Sequence, residues 1–298
     1  RYMRDCLLPF ALIHCLLYST LIGQVETVIP DQPEMIVVNT RQLDAFQNLE
    51  IGNYAIALEQ FEQLLKEKPH YISALIGRAK SLFQLKKYQE AHDAYLKVLE
   101  KNPSDIHSLE GLGSSALFLN QTDLALFYFN KAIDLKPDNA KIYHAIAVSQ
   151  ICNSDYLNAA ESAKMASLMY NKKGLEAPYS LIIAYFSYAQ MNDKGNSQQV
   201  LSYSKKLNFS PEWPLSIIEY MKGEIEASEL ISIVQSDKEE IEAHTYIGLQ
   251  LQLDGEFQAS KKHLNWVQKS NRNDIIETLI AKHMLEQSEE GISHAFHY

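Results

Sequence analysis

Cysteine, glycine and basic charge are all scarce in this chain of 298 residues. Three cysteines are too few for a disulfide framework. Eleven glycines and nine prolines exclude collagen-like and low-complexity chains. Lysine and arginine total 27 against 37 aspartate and glutamate, a formal net charge of −10. The lysine pairs Lys172-Lys173 and Lys205-Lys206 stand alone, so no basic stripe forms. That balance argues against nucleic acid as a partner. Signatures of chemistry are missing too: there is no Gly-x-Ser-x-Gly, no His-Glu-x-x-His and no phosphate loop. Gly111-Leu112-Gly113 is half of a dinucleotide fingerprint, but it sits in helical sequence with no strand before it. The ten histidines are scattered, and His294 and His297 have no carboxylate or thiolate cluster beside them. Cys152 follows Ile151 on an apolar helix with no histidine spaced to activate it, as expected of a packed thiol. These gaps predict a non-catalytic protein without cofactor or metal. The apolar fraction of 46% predicts a folded core.

What is present begins with a leader-like segment. Arg1, Met3, Arg4 and Asp5 precede a run without charge from Cys6 to Ile22, followed by Gly23, Gln24 and Val25. A short basic start, an apolar centre and a small residue predict a signal peptide over 1–23, cleaved after Gly23. The alternative is an uncleaved N-terminal anchor, which Pro9 and His14 weaken. Leu12-Ile13-His14-Cys15 is an imperfect lipobox, broken by His14. Cleavage leaves Cys152 alone, so an exported chain must be held by its core, which suits a bacterial periplasm or cell envelope.

The strongest signal is periodic. Pro69, Pro103 and Pro137 are 34 residues apart, and Asn171 ends that column. Small residues keep the same phase at Ala45, Ala79, Gly113 and Ala147, and again at Ala57, Ala91, Ala125 and Ala159. A larger slot holds Phe61, Tyr95, Phe129 and Ala163; a fourth column holds Leu64, Val98, Ala132 and Ala166. Small residues on two facing helices let backbones approach, the large slot fills the space to the next pair, and proline ends the second helix. Gly52-Asn53-Tyr54 and Lys86-Lys87-Tyr88 fall in the turns. In these columns the chain resembles tetratricopeptide repeat (TPR) proteins. The resemblance implies an all-α, right-handed solenoid of antiparallel helix pairs closed by a C-terminal capping helix.

The expected organisation is an extended linker over 24–37 and four TPR units over 38–173. Degenerate helical repeats continue over 174–240, the first with a lengthened first helix. A further unit with Gly248 plus a capping helix spans 241–287, and 288–298 form a tail. The stretch 213–285 carries Trp213-Pro214, Ile217-Ile218, Tyr220, Gly223, Glu242-Ala243-His244, Tyr246-Ile247-Gly248, Gly255 and Ile276-Glu277. This arrangement resembles bacterial TPR lipoproteins of the NlpI type, which implies a scaffold of the cell envelope.

First helices of a TPR array line its concave face. The inward positions are Asn39, Gln42, Phe46 and Leu49; Ser73, Ile76, Lys80 and Phe83; His107, Glu110, Ser114 and Leu117; and Lys141, His144, Val148 and Ile151. Gln42, Phe46, Ile76, Lys80, Phe83, His107, Glu110, Ser114, Lys141 and His144 are therefore the expected contacts for a partner helix or extended peptide. Leu49, Leu117 and Ile151 fit either that face or burial between repeats. The carboxylate clamp of chaperone-binding TPR proteins is absent, since Gln42, Phe46, Gly77, His107 and Gly111 hold its positions. A second copy of the chain is a further candidate partner. A membrane is one only through an uncleaved segment 1–23. An enzyme reading would need His244, Glu212 and Tyr220 to converge near Trp213.

Overall fold

The computed structural model describes residues 33–175, 177–204, 213–272 and 274–295, with side chains described between Thr40 and Ser288. The leader-like segment and Glu212 lie outside them. Among the described residues there are fifteen helices and no strand. Five antiparallel pairs come first: α1 (Pro33–Glu50) with α2 (Tyr54–Glu67), α3 (Ile72–Gln84) with α4 (Tyr88–Lys101), α5 (Ile106–Phe118) with α6 (Thr122–Leu135), α7 (Ala140–Cys152) with α8 (Tyr156–Lys172), and α9 (Pro178–Gln190) with α10 (Lys194–Ser204). Two short helices, α11 (Leu215–Met221) and α12 (Ala227–Ser232), lead to the pair α13 (Asp237–Leu253) and α14 (Phe257–Lys269) and the last helix α15 (Ile276–Ala295). Each helix of the first five pairs packs on its predecessor in the chain, as in a TPR solenoid.

The columns of small residues are the core. Ala45, Ala57, Ala79, Ala91, Ala125, Ala147 and Ala159 are fully buried. Phe61 and Phe129 are buried with them. A methyl group placed on Gly77 would lie 2.2 Å from the Phe61 ring, and one on Gly111 2.3 Å from the Tyr95 ring. Gly113 meets Phe129 and Gly248 meets Leu264 at 2.6 Å in the same sense. No side chain fits between ring and backbone at that separation.

Turns within pairs repeat one device. Gly52, Lys86, Asn120 and Ser154, each 34 residues after the last, all have left-handed backbone with φ between 60° and 86°. In each, the next amide reaches back over the turn: Asn53 to Asn48, Lys87 to Leu82, Gln121 to Ala116 and Asp155 to Gln150. The left-handed residue itself donates to the carbonyl three residues earlier, completing a Schellman motif. Between pairs, Pro69, Pro103 and Pro137 follow the C-caps Lys68, Asn102 and Lys136. Asp105 and Asn139 then cap the next helices, accepting from the amides of Ser108 and Ile142.

Several expected boundaries move. The segment 24–37 reads as an extended linker, but α1 starts at Pro33. The first helix of the fifth pair is not lengthened: α9 has 13 residues, as do α3, α5 and α7. The extra turn belongs to α8, with 17 residues. Asn171 stands where proline ends the earlier second helices, so α8 runs on to Lys172 until Gly174 turns left-handed at φ 69°. The helix starts Ile72, Ile106 and Ala140 are 34 residues apart, and Pro178 comes 38 after Ala140. The expected tail 288–298 is helical as far as Ala295.

The last helix does more than close an end. It packs on α13 and α14 and also reaches back to α7, while α13 packs on α9. Ile280, Ala281 and Met284 are fully buried in one apolar cluster that runs from Leu109 to Leu285. Polar contacts bridge the same distance in sequence. Lys86 pairs with Asp274 at 3.1 Å, the Tyr156 hydroxyl donates to Gln287 at 2.9 Å, and Gln287 donates to Ser154 at 2.6 Å. The C-terminal unit is folded back along the inner side of the fourth and fifth pairs.

The left-handed turns make a direct test. Asn120 is exposed and tolerates positive φ, whereas a β-branched side chain does not. Asn120→Val is expected to cost about 1–2 kcal/mol, and Asn120→Gly to stay within about 0.5 kcal/mol of the parent. Urea unfolding of the two variants measures the difference; equal midpoints would contradict it.

Candidate functional site

Two hollows lie on the inner side, and their linings differ in kind. The first, about 220 Å³, is lined by Lys80, Phe83, Tyr95, His107, Glu110, Gly111 and Ser114. Five of the expected contact residues, Lys80, Phe83, His107, Glu110 and Ser114, thus share one surface. They do so because α3 and α5 are held side by side by Tyr95 pressed on Gly111. Phe83 stands edge-on to Tyr88 and Phe118, with centroids 5.3 and 5.8 Å away, while Tyr88 and Phe118 stack at 4.8 Å. His107 is exposed, 3.9 Å from the Glu110 carboxylate. The hydrogen bond to Glu110 pushes the His107 imidazole up, against burial and Lys80. Glu110 also accepts from the Asn139 amide of the next repeat. The hollow offers aromatic walls with Lys80 and His107 at its rim.

Other expected residues are placed differently. Gln42 is half-buried and accepts a hydrogen bond from the Tyr71 hydroxyl. Phe46 meets Phe61 edge-on at 4.9 Å and packs on the first apolar cluster, so its ring is part of the core boundary. Ile76 is half-buried on α3, and Lys141 is exposed at the start of α7. Leu117, Val148 and Ile151 are buried between repeats and leave the inner face. Leu49 is half-buried against the first cluster. His144 belongs to the second hollow, not to an open groove.

That second hollow, about 320 Å³, is lined by His144, Tyr179, Lys238, Glu242, Arg272, Asp274, Ile275, Ile276 and Glu277. It lies where the C-terminal unit meets α7 and α9. The His144 imidazole is 3.3 Å from the Ser180 hydroxyl, and burial lowers its pKa to about 4, so it is neutral. Two carboxylates are buried here, Glu242 on α13 and Glu277 on α15. Glu242 accepts from the Tyr179 hydroxyl at 3.0 Å and from the Trp213 indole N–H, and pairs with Lys238 at 3.1 Å. Glu277 accepts from the Tyr246 hydroxyl at 3.2 Å. Burial, then the neighbouring Glu242 charge, raise the Glu277 carboxyl to about 7.

Sequence reasoning missed this cluster. Its one visible signal was a glutamate inside the apolar pattern Ile241–Ile247. The convergence considered near Trp213 is not formed by His244 and Tyr220. His244 lies against His263 and Trp266, whereas the charges bearing on Tyr220 come from Asp254, Glu226 and Glu256. Cys152 is a packed thiol, raised to about 12 by burial and then by Glu286. Among the described residues no group of three or more histidine, cysteine or acidic side chains is placed to hold a metal. No described helix is long and apolar enough to cross a membrane.

Glu277 sets a pH dependence. Its pKa in the folded chain, about 7, lies above the ordinary value of 4.5. The unfolded chain therefore loses this proton first, and the contribution to stability, full below about pH 4.5, is lost as pH rises through 7. Glu277→Gln removes the ionisation and is expected to flatten the melting temperature between pH 5 and 8. An unchanged slope in that variant would assign the dependence elsewhere.

A family model for the Psidin N-terminal TPR repeats region matches residues 41–207. The stretch 213–285, which carries the NlpI-like resemblance, lies beyond that match. Phagocyte signaling-impaired protein of Drosophila pseudoobscura pseudoobscura is 27% identical over 111 residues, 37% of this chain and 12% of that protein. Protein CTR9 homolog of Arabidopsis thaliana is 23% identical over 155 residues, 46% of this chain and 14% of that protein. The chain thus spans a small part of the curated relatives it matches. The structure of MamA from Desulfovibrio magneticus RS-1 superposes with a TM-score of 0.51 at 16% identity, covering 58% of this chain and 97% of that one. That likeness shows the shared fold. With the repeat columns, the Schellman turns and the matched region together, the chain belongs to the family of the Psidin N-terminal TPR repeats region.

Proposed function

We propose that the chain is a non-catalytic scaffold that holds a partner's helix or extended peptide along the inner face of its first three pairs. The observation that carries this reading is the first hollow, where Lys80, Phe83, His107, Glu110 and Ser114 converge on one open surface. Tyr95 and Phe83 provide walls for an apolar anchor, and Lys80 with His107 suits an acidic residue beside it. The inner side of the fourth and fifth pairs is covered by the chain's own C-terminal unit, so the open binding face is shorter than the repeat count implies. A preformed hollow lowers the ordering cost of binding.

The double variant Lys80→Glu with His107→Glu tests the reading without touching the core. It is expected to lose the partner that the parent chain retains in affinity capture, with no change in melting temperature. Lys141→Glu, exposed on α7 and outside this hollow, is the control. Loss of the partner in the control to the same degree would move the binding face.

Export rests on residues 1–23. Their charged start and apolar centre support delivery to a cell envelope, with cleavage after Gly23. N-terminal sequencing of the mature chain is expected to begin at Gln24. A mature chain that retains Cys6 supports the anchored alternative, an assembly factor held at the membrane.

A further inference from the structure

On the far side of the C-terminal unit from the acidic cluster, two imidazoles meet. His244 on α13 and His263 on α14 place their Nδ1 atoms 3.0 Å apart. Ring centroids are 4.9 Å apart, so the two nitrogens are the near edges of the rings. Both residues are partly exposed. The arrangement is fixed from two directions. Trp266 stacks on His244 at 4.0 Å and 14°, setting the plane of that ring. Gly248, one turn along from His244, lets α14 approach so closely that an added methyl would lie 2.6 Å from Leu264 and 3.4 Å from His263 Cβ. These two helices therefore cannot slide apart without losing a buried core contact, since Leu264 is 1% exposed.

Two imidazole nitrogens held 3.0 Å apart on rings tilted by 39° match adjacent positions of a square-planar or octahedral centre with metal–nitrogen bonds of about 2.0–2.1 Å. We infer that His244 and His263 form a two-imidazole site for a divalent transition metal, with Cu(II) or Ni(II) favoured by the narrow separation and water completing the coordination. In the metal-free pair, one Nδ1–H donates to the other Nδ1. Binding requires both Nδ1 lone pairs, so the shared proton moves through solvent to Nε2 of its own ring. Both imidazoles stay neutral and no net proton is released.

The stacked indole supplies the readout. Titration of the full chain with CuCl2 or NiCl2 at pH 7 is expected to quench Trp266 fluorescence saturably at one equivalent, leaving the Trp213 signal. His263→Ala is expected to lower the affinity at least about tenfold. His263→Phe keeps a ring in place and serves if the alanine variant melts early. Trp266→Phe should remove the quenching yet retain one equivalent of metal in equilibrium dialysis. His294→Ala with His297→Ala should leave the titration unchanged. The inference fails if no saturable binding appears, if His263→Phe binds like the parent, or if the tail variant alone abolishes binding.

Discussion

In each of the first three repeats an aromatic ring of the second helix is pressed onto bare helical backbone. Phe61 lies on Gly77, Tyr95 on Gly111 and Phe129 on Gly113, at separations that exclude even a methyl group. Close approach of this kind needs both partners at once, a ring large enough to span the gap and a residue without Cβ. The alanine columns at 45, 57, 79 and 91 extend the same logic to the paired helices. Spacing set this way decides which side chains of α3 and α5 remain on the inner face. The first hollow is a by-product of that spacing, because Tyr95 and Gly111 are at once core contact and cavity wall.

At the fourth repeat the same slot holds Ala163, and proline gives way to Asn171. Without the proline the second helix runs one turn too far, and the next pair starts four residues late. Regular stacking continues for one more pair, after which the chain turns back on itself. The C-terminal unit is held by a different chemistry. Buried carboxylates and phenols join α9, α13 and α15, and the Trp213 indole just before α11 donates to Glu242, where aromatic-on-glycine contacts joined the earlier helices.

Much of the array was legible in the sequence because alanine, glycine and proline report on geometry directly. Pro69, Pro103 and Pro137 mark helix exits by what they cannot do, and the alanine columns mark close packing by what they leave out. The turns at Gly52 and Lys86 were placed by the repeat, and the structure adds that both are left-handed. Lys86 and Ser154 adopt the same conformation, yet their residue types do not announce it. Repeat position alone brings Lys80, Phe83, His107, Glu110 and Ser114 together, where the inner face stays open. It does not foretell the surroundings of His144, because the cover comes from helices more than 90 residues downstream and no local pattern encodes that contact. The meeting of Glu242 with Glu277 was opaque for a related reason. A lone glutamate on an amphipathic helix has the same sequence appearance whether it meets water or a second buried acid.

A solenoid whose repeats touch only their neighbours unfolds like a line of beads, fraying from its ends. The return of α15 to α7 changes that topology. Residues near 154 and 287 become direct neighbours, and the apolar cluster from Leu109 to Leu285 joins the third pair to the last helix in one body. The first two pairs centre on smaller clusters, the second of which takes in Leu112 of the third pair. The third pair onward is therefore built as one block, to which the second pair is joined through Leu112 and the Lys86–Asp274 ion pair. Such a block must close a long loop before its defining contacts form, which slows folding relative to an open array of equal length.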